Sequence, residues 1–170
     1  MKARLVPLYF DPGRDADFDR QLAALRGLLG EGAELLEPRP LGAELPPAEA
    51  VVFPQLLGQA YRCLRAFQDL DLPILLVTSE FGTLSMWDWE IAEYLRTSGV
   101  ETIGPYNVQQ TRNIVAALGV KRRLPRTTLL VYQDDPGEGF QAPIFKRFYW
   151  WEDECTDRIK KKFGITIAKR

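Results

Sequence analysis

The residues best equipped for chemistry lie together in one stretch. Thr78-Ser79-Glu80-Phe81-Gly82 supplies two hydroxyls, a carboxylate, an aromatic face and a glycine, and Trp87 and Asp88 follow a short way on. Such a set suits a polyol, because the acceptors take hydroxyl protons while a ring stacks on the C–H face. The plainer alternative is a solvated Glu80, a Phe81 packed under its own loop and a Trp87 in the core. Asp11, Gln55 beside Pro54, and Gly104-Pro105-Tyr106-Asn107 are the other groups that follow short apolar runs. The candidate substrate-binding residues are therefore Glu80, Phe81, Trp87, Asp88, Gln55 and Asp11. The chain contains no histidine. It thus lacks the usual general base near neutral pH and the commonest nitrogen ligand for metals. No catalytic residue and no metal ligand is assigned.

Other chemistries fit less well. Neither Asp11-Pro12-Gly13-Arg14 nor residues 79–85 supplies the clustered glycines that let backbone amides close on a phosphate. A phosphoryl-accepting receiver domain wants an aspartate where Pro54-Gln55 stands. Tyr149-Trp150-Trp151, with Phe145 and Phe148 nearby, could serve as an aromatic platform for sugar or single-stranded nucleic acid. Clusters of this kind more often lie in an interface between domains or subunits. Twenty-two Lys and Arg against 23 Asp and Glu leave a net charge of -1, which creates no broad field for nucleic acid or anionic lipid. Cys63 and Cys155 read as isolated, reduced, packed thiols. The apolar start is too short for a secretory core, and no run approaches the roughly 20 apolar residues of a membrane helix. The expectation is a cytoplasmic protein.

The elements that must position these groups alternate. Residues 5–10 form a short apolar run ending at Asp11-Pro12-Gly13, a turn signal, and read as a first buried strand. Phe18, Leu22, Leu25 and Leu29 then make the stripe of an amphipathic helix closed by Gly30. Further strands are expected at 33–36, 50–53, 73–78 and 101–104. Leu57, Tyr61 and Leu64, flanked by Ala60, Cys63 and Phe67, mark the face of a helix between the third and fourth, and prolines 38, 40, 46 and 47 make the preceding stretch a loop. Ser85 is placed to cap a helix lined by Trp87, Ile91, Tyr94 and Leu95 and ended by Thr97-Ser98-Gly99. Asn107 with Gln110 opens another, striped by Thr111, Ile114, Val115 and Leu118 and closed by Gly119. Short, continuously apolar strands alternating with helices indicate a parallel sheet covered on both faces. The expected fold is an α/β three-layer sandwich of the Rossmann or flavodoxin kind over residues 1–120, with the site beyond the carboxyl ends of its strands.

Residues 121–126, charged and broken by Pro125, read as a linker. A strand at 127–132, an acidic glycine-rich loop at 133–139, a helix around Trp151, Cys155 and Ile159, and a strand at 165–168 then begin a second βαβ unit. Glu152, Asp153 and Glu154 early in that helix and Lys160, Lys161 and Lys162 late complement its dipole. One helix and two strands cannot bury both faces of a new sheet. The expectation is that residues 127–170 are the incomplete start of a middle domain in a longer protein.

Pro73-Ile74-Leu75-Leu76-Val77-Thr78-Ser79-Glu80-Phe81-Gly82-Thr83-Leu84-Ser85-Met86-Trp87-Asp88 resembles the L-arabinose isomerase segment in which a strand runs into a threonine-glutamine-phenylalanine loop and then a tryptophan-aspartate pair. Ala50-Val51-Val52-Phe53 sits where that family has its preceding strand. Lys162-Phe163-Gly164 resembles the lysine-phenylalanine-glycine before a strand of its middle domain. The resemblance to the L-arabinose/L-fucose isomerase family covers 1–170 in element order and 50–120 at the level of motifs. It implies an N-terminal and a middle Rossmann-like domain, followed by a C-terminal barrel domain outside this chain. The implied activity is aldose–ketose interconversion at a divalent metal, usually manganese, with carboxylates moving a proton between adjacent sugar carbons. The family's metal ligands, carboxylates and histidine, lie downstream of the region present. What this chain would supply is the substrate-pocket and oligomerisation part. In the hexameric arabinose isomerases the N-terminal domain lines a neighbouring subunit's pocket, a role the resemblance carries to Phe81, Glu80 and Trp87. Glu80 stands in place of the family's glutamine, and Tyr106-Asn107 where the family has a histidine. A homo-oligomer, trimer or hexamer, is implied, with a small sugar as ligand. Two alternatives stand beside this reading: a free-standing sugar- or effector-binding module without chemistry, and a flavodoxin-like redox domain that binds flavin.

Overall fold

A proline in the middle of the central strand decides how the sheet is built. The computed structural model describes residues 1–10, 13–54, 58–77, 86–132 and 153–170, the side chains of 86, 87 and 153 excepted. Strand β1 (Ala3–Tyr9) is flanked on both sides by parallel neighbours. On one side its Leu5 and Tyr9 carbonyls accept from the amides of Leu36 and Leu41 at 2.9 and 2.8 Å. Odd-numbered residues of β1 therefore address that side, and Pro7, which has no N–H to offer, is one of them. The neighbour is interrupted opposite it. Strand β2 (Ala33–Leu35) pairs Ala3 with Ala33, whereas β3 (Arg39–Pro40) pairs Leu8 with Arg39. One extra residue is accommodated around the buried Pro38, a bulge that spares the ladder a missing donor.

The proline-rich stretch expected to be a loop thus contributes a short edge strand. Prolines 38 and 40 leave that edge with few free amides, which discourages pairing with another chain. The rest of the sheet follows the expected alternation. Strands β4 (Ala50–Val52), β5 (Ile74–Leu75) and β6 (Thr102–Ile103) add in turn on the other side of β1, all parallel, in the order β2-β1-β4-β5-β6 with β3 beside β1.

The helices divide between two faces. Helix α1 (Ala16–Leu29) buries Phe18, Leu22, Leu25 and Leu29, the four expected positions, and Asp15 caps it by accepting from the Phe18 amide at 2.8 Å. Helix α4 (Val108–Lys121) lies on the same face, where Leu25, Leu29, Val115 and Leu118 pack with Ala3, Leu5, Ala50, Val52 and Leu75. Helices α2 (Leu64–Gln68) and α3 (Met86–Thr97) cover the other, where Phe67, Ile91 and Leu95 meet Val6, Leu8, Val51, Ile74 and Leu76. Burying each such side chain contributes about 1.5–3 kcal/mol. The arrangement is a three-layer α/β sandwich of the flavodoxin or Rossmann kind.

Two helix expectations are corrected. Of the stripe through Leu57, Tyr61 and Leu64, Leu64 packs against the core but Tyr61 does not face it. Leu57 lies outside the described residues, Tyr61 is 49% exposed, and the flanking Ala60 and Phe67 are the fully buried positions. Two short helical pieces broken at Cys63, rather than one regular helix, shift the phase. Gly119 does not close α4 either, since the helix runs on to Lys121. A Cβ there would stand 2.5 Å from the Met1 carbonyl oxygen and 3.3 Å from the Ala3 nitrogen, so glycine is what lets α4 lie against the start of β1.

The chain divides into two compact units, Met1–Val120 and Lys121–Arg170. The second opens with a 3-10 turn (Leu124–Arg126) where a plain linker was expected. Strand β7 (Thr128–Val131), helix α5 (Asp153–Phe163) and strand β8 (Thr166–Lys169) follow, and β7 and β8 pair in parallel from Thr128 with Thr166 to Val131 with Lys169. Gly164, at φ 70°, ends α5 with its amide donating to the Lys160 carbonyl at 2.7 Å. Cys63 and Cys155 are free, half-buried thiols.

Candidate functional site

The chain leaves β1 toward β2 in one direction and, after returning, toward β4 in the other, so the strand order reverses at β1. In open parallel sheets ligands bind outside the carboxyl ends of strands at such a point. The candidate residues flank it in sequence. Asp11 follows Phe10 after β1, Gln55 follows Pro54 after β4, and Glu80 and Phe81 come three and four residues after Val77, beyond β5. Strands β1, β4 and β5 are consecutive neighbours, so Phe10, Pro54 and Val77 share one edge of the sheet. Asp11, Gln55, Glu80 and Phe81 themselves lie outside the described residues, as do Ser85 and the aromatic group at 145–151. Trp87 is described by its backbone alone, in the first turn of α3.

Asp88 is the one candidate whose side chain is described. It is 3% exposed and not without a partner. It falls on the inward face of α3 with Ile91, Ala92 and Leu95, all buried. A carboxylate in the first turn is favoured by the helix dipole, and a buried one requires polar company. Asp88 is therefore a buried carboxylate on the inward side of α3 and does not reach freely into solvent.

Three phenylalanines of the core cluster together near this edge. Phe10 and Phe53, at the ends of adjacent strands, stack with centroids 5.4 Å apart and planes at 28°. Phe67 from α2 completes the group at 5.5 Å from Phe53 and 6.1 Å from Phe10. Phe53 and Phe67 are 4% and 0% exposed, whereas Phe10 is half-buried and packs against the same core. The signal was present as phenylalanines ending two neighbouring apolar runs, but only strand adjacency joins them. Two further aromatics at this end of the sheet stand in solvent: Trp89 in α3, 65% exposed, and Tyr106 before α4, 77% exposed.

The loop before α4 is fixed by reciprocal capping. The Gln110 amide donates to Asn107 Oδ1 at 2.8 Å, and the Tyr106 amide donates to Gln110 Oε1 at 2.8 Å. Just past β1, Arg14 donates to Glu37 at 3.1 Å and to Asp19 at 3.4 Å. The Glu37 hydrogen bond, helped by that of Asp19, raises the guanidinium pKa above its ordinary value against the opposing effect of burial. These contacts tie the turn after β1 to α1 and to the β2–β3 connection.

Among the described residues no group of three or more His, Cys, Asp or Glu side chains is arranged to hold a metal ion. The divalent metal that the family resemblance implies thus finds no ligand set there. Compared with protein-family models, with curated proteins and with solved structures, the chain matches none. Its class is set by its own architecture, a doubly wound parallel α/β unit whose strand order reverses at β1. No described helix is long and apolar enough to cross a membrane.

Proposed function

We propose that this chain forms the sugar-facing, subunit-contacting part of a metal-dependent aldose–ketose isomerase of the L-fucose/L-arabinose type, working in the cytoplasm as a homo-oligomer. The observation that carries the reading is the adjacency of β1, β4 and β5. It brings the three segments that supply Asp11, Gln55 and the 78–88 motif to neighbouring positions on one sheet edge. Near Phe10 and Phe53, hydroxyl acceptors and an aromatic ring from those segments would form one wall of a polyol pocket. The groups that move the proton, and the manganese they work with, belong in this reading to sequence beyond Arg170.

The test is to express the longest reading frame that contains this chain and to assay manganese-dependent conversion of pentoses and 6-deoxyhexoses. Activity is expected in the long form, with Phe81→Ala raising KM more than it lowers kcat, because the ring binds substrate without taking part in proton transfer. The 170-residue chain alone is expected to be inactive. Turnover by that purified chain, or a long form inert toward every aldose offered, would overturn the assignment. Saturable sugar binding by a natural product ending near residue 170 would leave a binding module instead, and a yellow preparation would point to flavin.

A further inference from the structure

The net charge of -1 is the sum of two unlike parts. Met1–Val120 carries 10 Lys and Arg against 16 Asp and Glu, whereas Lys121–Arg170 carries 12 against 7. The second unit is therefore cationic by itself, and its acids are confined, since none falls within 121–133 or 158–170. At physiological salt the screening length is about 8 Å. A ligand then responds to the charges nearest it rather than to the balance of the whole chain.

The fold of this unit gathers its cations at one end. Strands β7 and β8 are parallel, with Thr128 beside Thr166, so the segments that lead into them arrive together. The Thr166 amide donates to the Thr127 carbonyl at 3.0 Å, and a Cβ built on Gly164 would stand 3.2 Å from Pro125 Cγ. The 3-10 turn at Leu124–Arg126 thus lies against the carboxyl end of α5. Lys121, Arg123 and Arg126 come from the first segment and Lys160, Lys161 and Lys162 from the second, and all six are exposed. None of the six forms an ion pair among the described residues, whereas Arg158, a turn earlier in α5, is held by Glu154 at 2.9 Å. The dipole of α5 favours cations in its last turn, but it does not account for three more held beside them from another segment.

An aromatic ring stands in the same cluster. Phe163 is 45% exposed, with Lys162 Nζ 5.7 Å from its ring centroid. Cations beside an open ring suit a strand whose phosphates meet Lys and Arg while an unstacked base lies on the ring. A bilayer would find little here to bury, because Cys155 and Ile159 on the same helix are already half-buried within the unit.

We infer that the amino end of β7 and β8 binds single-stranded nucleic acid, with phosphates on these six cations and a base on Phe163. No sugar, metal or turnover enters this surface, so it and the proposed isomerase role can fail separately.

Fluorescence anisotropy of a labelled oligothymidylate of about 16 nucleotides, titrated with the 170-residue chain, tests it. Saturable binding is expected at about 0.05 M salt. With about four phosphates held at once, log Kd should rise with log salt at a slope of about 2.8, which makes binding about fiftyfold weaker at about 0.2 M. R123E/R126E and K160E/K161E should each weaken binding about tenfold or more and lower the slope by about 1.4, two phosphate contacts being lost. R62E/R112E reverses two exposed cations of the first unit, alters the net charge equally and should leave binding unchanged. Phe163→Ala should weaken binding about fivefold at an unchanged slope, and Phe163→Trp should retain it. Circular dichroism shows that each variant folds. A chain that does not bind the oligomer, reversals in the two units that weaken it alike, or a duplex preferred to the single strand would overturn the inference. So would tighter binding to phosphatidylserine vesicles or to polyglutamate, which would assign the cluster to a membrane or to an acidic protein.

Discussion

Replacing glycine by alanine inside a helix should have opposite signs at two positions of this protein. Gly27 lies in α1, exposed, with no atom within 4 Å of a Cβ built on it. There alanine lowers the entropy of the unfolded chain and favours the helix by about 0.5–1 kcal/mol. Gly119, inside α4, offers the same helical gain, but its Cβ would meet the Met1 carbonyl oxygen at 2.5 Å and the Ala3 nitrogen at 3.3 Å. Both are backbone atoms, so relief requires moving α4 or the start of β1 as a unit. Overpacking of this kind costs about 1–3 kcal/mol, and because both contacts are with backbone the upper part of that range applies, which leaves Gly119→Ala destabilised by up to about 2.5 kcal/mol after the propensity gain. Urea and thermal unfolding followed by circular dichroism should show Gly27→Ala melting a few degrees above the wild type and Gly119→Ala a few degrees below, at about 3–5 °C per kcal/mol for a unit of this size. A Gly119→Ala variant as stable as Gly27→Ala would refute the close approach of α4 to β1.

Other consequences can be checked on the same footing. Asp15→Ala removes the acceptor of the Phe18 amide at the start of α1 and should cost about 1 kcal/mol in urea unfolding, with Asp15→Asn recovering most of it. Phe67→Ala empties a fully buried site against Phe10 and Phe53. It should cost about 3–5 kcal/mol in urea unfolding.

The alternation of short apolar runs with helical stripes was enough to read the fold class from the sequence, because a parallel sheet buried on both faces imposes that pattern on the chain. The α1 stripe at Phe18, Leu22, Leu25 and Leu29 and the Asn107–Gln110 cap needed no tertiary information, since both depend on neighbours within one or two turns. What remained illegible depended on partners far along the chain. Arg39–Pro40 looks like loop until the interruption opposite Pro7 is known, and Gly119 looks like a helix terminator until Met1 is seen to lie against it.

The candidate site divides along the same line. The proposal of a polyol ligand draws on residue types within 78–88, whereas the buried position of Asp88 follows from the helical phase it shares with Ile91 and Leu95. Only strand order could bring the ends of β1, β4 and β5 to one edge and stack Phe10 on Phe53. Periodicity reports which way a side chain faces on its own element. Which elements become neighbours is settled by burial and hydrogen bonding summed over the whole sheet, and that sum is a property of the folded chain.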